Sequence, residues 1–393
     1  MKQEKLLEIL TSGCEGKYTA IRSITRLQPA DGPGGKVFPP TYSTNAETPY
    51  AFEMRLIDGK QVNTALIDSV QSQANRFEEV LLEKAQALNL PLFVMTVDGH
   101  EPITTLNAPH RVHDAIFRDS LWNGKPFRES EGGKRLVAAR AWNATAFFEY
   151  APTVLLFGTW DSQSGGGVNT AKIARCLVSE IIAYDAVPGV RTASRIDPLG
   201  IKRIPDVVMT TDDGSVWKFA PQTESRKDAK GKRVRPSEVN LGNIAPSITP
   251  GGVTFAEARQ TTVLSFTQLR RLRFPDEKGN SVEGRDVAGR TVIAALALYA
   301  VALNQEQGYQ LRSRCQLIPV ESPKFELLGR TQSEREEFEL DSDIAEAALK
   351  GAVEAAARLG LKWNSGRIPL EPRPDLVKLV EMSDRVTAVP EEA

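Results

Sequence analysis

LIDSVQSQANRFEEVLLEKAQAL, residues 66–88, sets apolar side chains at Leu66 or Ile67, Val70, Ala74, Phe77, Leu81, Ala85 and Leu88, the three-to-four spacing of one buried helical stripe. The spacing predicts a helix with that stripe in the core. Its opposite face begins with Asp68, Ser69, Gln71, Ser72, Asn75 and Arg76. These short groups donate and accept hydrogen bonds where an idle solvated face carries Lys and Glu. Such a face suits phosphates, ribose hydroxyls or a partner's backbone; the alternative is that the same groups cap and pack local loops.

Upstream of this helix, an opening helix is followed by KYTAIRSITRLQP (17–29), which alternates like a strand, and PADGPGGKVFPPTY, which forces an irregular loop. MRLIDGKQV predicts a hairpin turned at Asp58 and Gly59. Downstream, the pattern predicts a strand at 92–97, helices at 110–122 and about 134–149, and a buried strand in PTVLLFGTWDS (152–162). A helix is expected over 170–184 from the spacing of Ile173, Leu177 and Ile181. VRTASRI and VVMTT read as strands, the second turning at 212–214 into VWKF. Residues 220–252 are polar, basic and rich in Pro, Gly and Asn, as in a functional loop or projecting arm. TTVLSF is a strand, 287–303 a helix and LRSRCQLIPV a further strand. DSDIAEAALKGAVEAAARLG is a helix with a cap among Asp341 to Asp343 and an end at Gly360. Past Trp363 a Pro-rich tail is expected on the surface. This irregular interleaving, with frequent hairpins, favours an α+β antiparallel core with large insertions over a doubly wound sheet.

With 393 residues, 41% hydrophobic and 25% charged, the chain has the composition of a globular protein with a substantial core. Its longest apolar run, 292–303, is shorter than the roughly 20 residues a membrane span needs, so no membrane is expected. The charged start MKQEKLLEILTSG and the separated Cys14, Cys176 and Cys315 point to a reducing cytoplasm. Net charge is -1, yet basic residues cluster at 226–235 and 270–273 and acidic ones at 334–343. Opposite-sign patches on a neutral chain fit self-assembly or one placed anion site, and they exclude nucleic-acid coating by bulk charge.

Enzyme-like signals are few. GTWDSQSGGGVNTAK (158–172) places a glycine loop where backbone amides can meet phosphate, but Lys172 follows Ala171 with no hydroxyl after it, and neither the Walker nor the GxGxxG pattern is met. His110 and His113 share the face of the expected helix, His100 is the only other histidine, and no CxxC or HExxH completes a metal site. Asp68, Asp161 and Asp197 show no spacing that converges. Arginines and amides spread over distant segments stand out instead. Arg191, Arg195, Lys202 and Arg203 lie among turn residues, and Asn240, Asn243 and Ser247 in a supple loop. Guanidinium forks suit phosphate oxygens and amides suit sugar and base edges, a set fitted to single-stranded RNA.

LIDSVQSQANRFE, APHRVHDAIFRDS, FGTWDSQSGGG, GVRTASRIDPLGI, PSEVNLGNIAPSI and QTTVLSFTQLRRLRFP, in this order, together resemble the backbone subunit of CRISPR interference complexes of type I-G, formerly I-U. That subunit is a branch of the RAMP superfamily and of the Cas-seven family. The resemblance spans about residues 17–319. It implies a modified RNA-recognition-motif (ferredoxin-like) palm with inserted finger and thumb-like segments: palm over 1–330, thumb-like arm over about 220–252, and a C-terminal helix and tail over 331–393 packed on the palm. It also implies a non-catalytic, cofactor-free scaffold whose copies stack head to tail along a guide crRNA, with other Cascade subunits and the target DNA as partners. The expected RNA contacts are Lys17, Arg22, Ser69, Gln71, Ser72, Asn75, Arg76, His110, Arg111, Trp160, Ser162, Gly165, Gly166, Arg191, Arg195, Lys202, Arg203, Asn240, Asn243, Arg270 and Arg271. The aromatic run on which RNA-recognition motifs stack bases is absent. The rival readings are a metal-dependent ribonuclease using Asp161 or Asp68 and a nucleotide-binding enzyme built on the glycine loop.

Overall fold

The computed structural model describes residues 1–43, 48–161, 172–202, 208–210, 217–219, 232–331, 333–364 and 366–388. They form two compact units, one from 1–42, 50–187 and 253–377, the other from 43–49, 188–252 and 378–393.

In chain order, helix α1 (Gln3–Glu15) leads to β1 (Ala20–Pro29), the hairpin β2 (Phe52–Ile57) and β3 (Lys60–Asp68), helix α2 (Val70–Lys84) and β4 (Leu177–Tyr184). Next come β5 (Val187–Arg195), β6 (Ile244–Thr254), β7 (Glu257–Ser265) and helix α3 (Glu283–Gln307). The hairpins β8 (Tyr309–Arg312) with β9 (Cys315–Pro319) and β10 (Phe325–Leu328) with β11 (Arg335–Phe338) precede helix α4 (Ser342–Arg358). The nine-stranded sheet of the first unit runs β8-β9-β1-β7-β4-β3-β2, with β10 on β1 and β11 on β10. Within it β9, β1, β7 and β4 are antiparallel neighbours. With α2 between β1 and β4 in the chain and α3 between β7 and β9, they form a βαββαβ unit whose fourth strand lies beside the first, then the third, then the second. This is the α+β, RRM-like palm that the sequence predicts.

The two faces of this sheet differ in chemistry. Ile21, Ser23, Thr25 and Leu27 of β1 turn inward, where Gln305 of α3 donates to the Ser23 hydroxyl. Helix α3 is long and apolar enough to cross a membrane, yet 89% of its most apolar window is buried. Its alanines let α1 and α4 pack closely, and it serves as the core helix. On the other face the arginines are matched to carboxylates on neighbouring strands. Arg22 meets Glu326 at 2.6 Å and Arg26 meets Glu257 at 2.9 Å, while Arg259 also bonds Glu257.

Several local expectations are corrected. Residues 172–173 and 177–184 are strands, not a helix: Ile173, Leu177 and Ile181 are four apart, an even spacing that serves a strand as well as a helix, and the buried Ser179 hides the alternation. The helix over 110–122 is broken by Arg111 at φ 52, leaving short turns and a strand at Ser120–Trp122. The helix over 134–149 is two, Glu131–Ala138 and Thr145–Tyr150, split by a bridge between Arg140 and Asn143. PTVLLFGTWDS holds one helical turn, Val154–Phe157, before a two-residue strand. LRSRCQLIPV folds back at Arg314, φ 56, as the hairpin of β8 and β9. The arm is partly regular, since β6 runs through Ile244–Thr254. The tail is not loose either: Arg367–Pro372 pairs in parallel with Leu92–Met95, and the helix Pro374–Ala388 follows. The hairpin at Asp58 and Gly59 forms as predicted, with both residues at positive φ; the turn at 212–214 lies outside the described residues.

In the second unit, β5 pairs with β6 and a three-stranded antiparallel sheet joins Trp217–Phe219, Val208–Thr210 and Lys232–Val234.

Candidate nucleic-acid interface

The helix that opens the sequence reading has two polar sides with different fates. Ser69 caps α2 by accepting from the Ser72 amide, so the preceding 66–68 belong to β3. Asp68 lies fully buried beneath the cap and accepts from Ser72 Oγ at 2.9 Å, Gln73 Nε2 at 2.7 Å, Arg76 Nε at 2.9 Å and Arg312 Nη2 at 2.7 Å. Burial pushes the Asp68 carboxyl up, but the bonds from Arg76, Gln73 and Ser72 outweigh it and hold its pKa below the ordinary carboxylate value. The knot continues inward: Gln73 Oε1 accepts from Ser179 Oγ at 2.9 Å and Gln260 Nε2 at 2.8 Å, and Tyr309 Oη donates to Gln260 Oε1 at 2.9 Å. Ser69, Ser72 and Arg76 therefore have partners within the protein, Arg76 also donating to the Leu311 carbonyl at 2.7 Å.

Gln71 and Asn75 point the other way, into a cleft of about 520 Å³ that they share with His110, Arg111, Gly158, Trp160, Lys172 and Arg175. Its far wall is a sharp turn. Gly158 sits at φ 79, where a Cβ would lie 2.9 Å from the Ile173 carbonyl oxygen, so only glycine lets the Thr159–Trp160 strand pair with Lys172–Ile173. Trp160 is left 61% exposed, with the Lys172 ammonium 5.9 Å from its ring centre. Arg111 crosses the base of the cleft. It grips Glu78 with both ends of its fork, at 2.6 and 2.9 Å, and donates to the Gly158 carbonyl at 3.3 Å. Burial raises the Glu78 pKa against the pull of Arg111. Arg175, half-buried, makes no hydrogen bond or ion pair among the described residues. Burial, with repulsion from Arg111, lowers its pKa against the pull of Glu78. Five of the expected contacts, Gln71, Asn75, His110, Arg111 and Trp160, thus meet in one place although their segments lie far apart in sequence.

The remaining expected contacts are dispersed. Lys17 is exposed over the Tyr18 ring, Arg22 holds Glu326, and Arg270 donates to the carbonyls of Gly13 and Tyr18 at 2.8 and 2.9 Å beside an exposed Arg271. In the second unit Arg191 donates to Thr249, and Arg195 bonds the Asn240 carbonyl and lies 3.7 Å from Asp197. Asn243 accepts from the Asp197 amide at 2.6 Å, and Lys202 is exposed nearby on the same unit. Backbone amides, the Gly242 one foremost, hold the Asp197 pKa down. Ser162, Gly165, Gly166 and Arg203 lie outside the described residues. His113 does not share a helical face with His110: its Nδ1 is 2.8 Å from Thr159 Oγ1, and burial drives its pKa down to about 4 against the pull of Asp161.

Sequence reasoning passed over Arg175 and Lys172. Their signal was a charge immediately on each side of Ile173 and Ala174, hidden by the expectation of a helix there. An ion-paired Arg111, an Arg175 without a hydrogen bond among the described residues, an exposed indole and two amides can together hold an anion and an aromatic ring. Residues 21–188, which include every residue of this cleft, match the family model of CRISPR-associated protein GSU0053. No curated protein matches the chain.

Proposed function

We propose, from the match of residues 21–188 to the family model of a CRISPR-associated protein, that this chain is the non-catalytic, guide-crRNA-binding backbone subunit of a type I-G Cascade complex. Copies stack along one guide, grip its sugar and phosphate track, and leave the bases they do not stack free to pair with target DNA. The observation that carries this reading is the cleft beside α2, where Gln71, Asn75, His110, Arg111 and Trp160 converge. Cations for phosphate, amides for sugar hydroxyls and an aromatic for a base are the equipment of single-strand binding. The outer face of the palm sheet, where RNA-recognition motifs stack bases, carries ion pairs instead, which favours the cleft as the RNA track. The carboxylates that the ribonuclease reading would use are committed: Asp161 is buried against Arg128 at 2.8 Å and Asp68 holds four donors.

Co-expression with a guide RNA tests the reading. Purified at low salt, the protein should carry RNA, elute far above the mass of one chain and return to monomers after ribonuclease treatment. A protein that emerges free of nucleic acid and monomeric would sink it. Incubation of guide-matched RNA with the assembly and magnesium should leave that RNA intact.

A further inference from the structure

Within the cleft, the charges do not balance. Glu78 takes up the charge of Arg111 through a two-pronged bond; its one negative charge also attracts Arg175, which makes no hydrogen bond or ion pair of its own among the described residues, so two guanidinium groups share a single carboxylate. A guanidinium half-withdrawn from water, beside a second arginine that already holds the shared carboxylate, keeps all its N–H donors for an anion. Lys172 adds an exposed ammonium on the same rim, and Trp160 offers an indole of which 61% is open.

The geometry points to a subsite for one nucleotide of a single strand, its phosphate held by Arg175 and Lys172 and its base laid on Trp160. This deepens the guide-RNA reading and rests on it. Neither half reads sequence. Phosphate oxygens are the same at every position, and every base has a face to stack. Gln71 and Asn75, on the opposite wall, are left to meet the sugar hydroxyl between phosphate and base. Arg111 is a positioning residue here: its bond to the Gly158 carbonyl steadies the turn that presents Trp160.

Fluorescence titration of the full chain with an unstructured oligouridylate, and with a chain of abasic units of equal length, tests both halves. Arg175→Met should weaken both ligands about tenfold and reduce the slope of log affinity against log salt by about 0.7, the share of one single-strand phosphate. Its thermal midpoint should match the wild type, because Arg175 has no hydrogen bond to lose. Arg175→Lys should restore the slope. Trp160→Ala should weaken the oligouridylate about tenfold but leave the abasic chain unaffected, and Trp160→Phe should keep most of the affinity. If the wild type binds RNA while Arg175→Met changes neither affinity nor slope, or Trp160→Ala weakens both ligands alike, the subsite is overturned and the guide-RNA reading stands. If the wild type binds neither ligand, both fall together.

Discussion

Removing the Asp68 carboxylate would leave two guanidinium groups, Arg76 and Arg312, facing each other inside the protein without their shared counter-charge. Asp68→Ala should therefore cost about 3–5 kcal/mol in a urea denaturation series, far more than loss of a surface ion pair. The pH dependence has a definite sign. A carboxylate whose pKa is lowered by folding contributes its full stability above the unfolded value, about 4, and loses it as pH falls through the lower folded value. The stability gap between wild type and Asp68→Asn should be constant from neutral pH to about 5 and shrink below about 4. At the foot of the cleft, Arg111→Met should cost about 3–5 kcal/mol by stranding Glu78, and adding Glu78→Gln should recover most of it; a double variant no more stable than the single would show that Arg111 acts through packing on Phe157. At this scale the sequence was readable in type but not in direction. Six polar residues on one face announced polar contacts, yet Asp68, Ser72 and Arg76 found theirs within the chain while Gln71 and Asn75 did not. Ser72 and Arg76 meet Asp68 nearby, but the partners that complete the knot, Arg312 and the Leu311 carbonyl, lie more than two hundred positions away.

Among the elements, α3 and β4 mark the limits of pattern reading. Helix α3 was legible because a long apolar run with alanine spacing has no competing solution. Strand β4 was not, because a spacing of four satisfies both periods and its buried serine bonds a glutamine from α2 that only the fold supplies. The broken helices at 111–118 and 131–150 were invisible for a related reason: one residue at positive φ or one bridge between neighbouring turns ends a helix without Pro or Gly at the break. Close packing around α3 supports a test at the same scale. A Cβ at Gly289 would fall 2.6 Å from Phe274 and 2.7 Å from Leu361, and Phe274 is itself wedged edge-on against Phe148. Alanine gains about 1 kcal/mol of helix propensity over glycine, but overpacking of about 1–3 kcal/mol opposes it. Gly289→Ala should lower the urea midpoint; an unchanged or higher midpoint would mean that Phe274 can yield.

For the molecule as a whole, residues 188–252 of the second unit are inserted in the chain between two strands of the palm, β4 and β7, which pair with each other from Leu177 with Leu264 to Tyr184 with Glu257. Replacing 188–252 by a short Gly-Ser turn should leave the first unit folded, with one cooperative unfolding transition and an intact cleft. Loss of cooperativity in calorimetry would show that the palm depends on its insertion. The palm was legible as an α+β core with insertions; the strand order was not, since it depends on pairings between segments hundreds of residues apart.

The carboxylates on the palm's outer sheet give the protein a way to refuse ligands. Glu326 and Glu257 occupy Arg22, Arg26 and Arg259, so a passing polyanion finds a surface whose cations are already spoken for. Glu257→Gln with Glu326→Gln would unmask three guanidinium groups on a flat, partly apolar platform, and the variant should co-purify with more heterogeneous cellular RNA at low salt than the wild type does. What the protein binds would then be decided as much by the acids that shield one face as by the bases that line another.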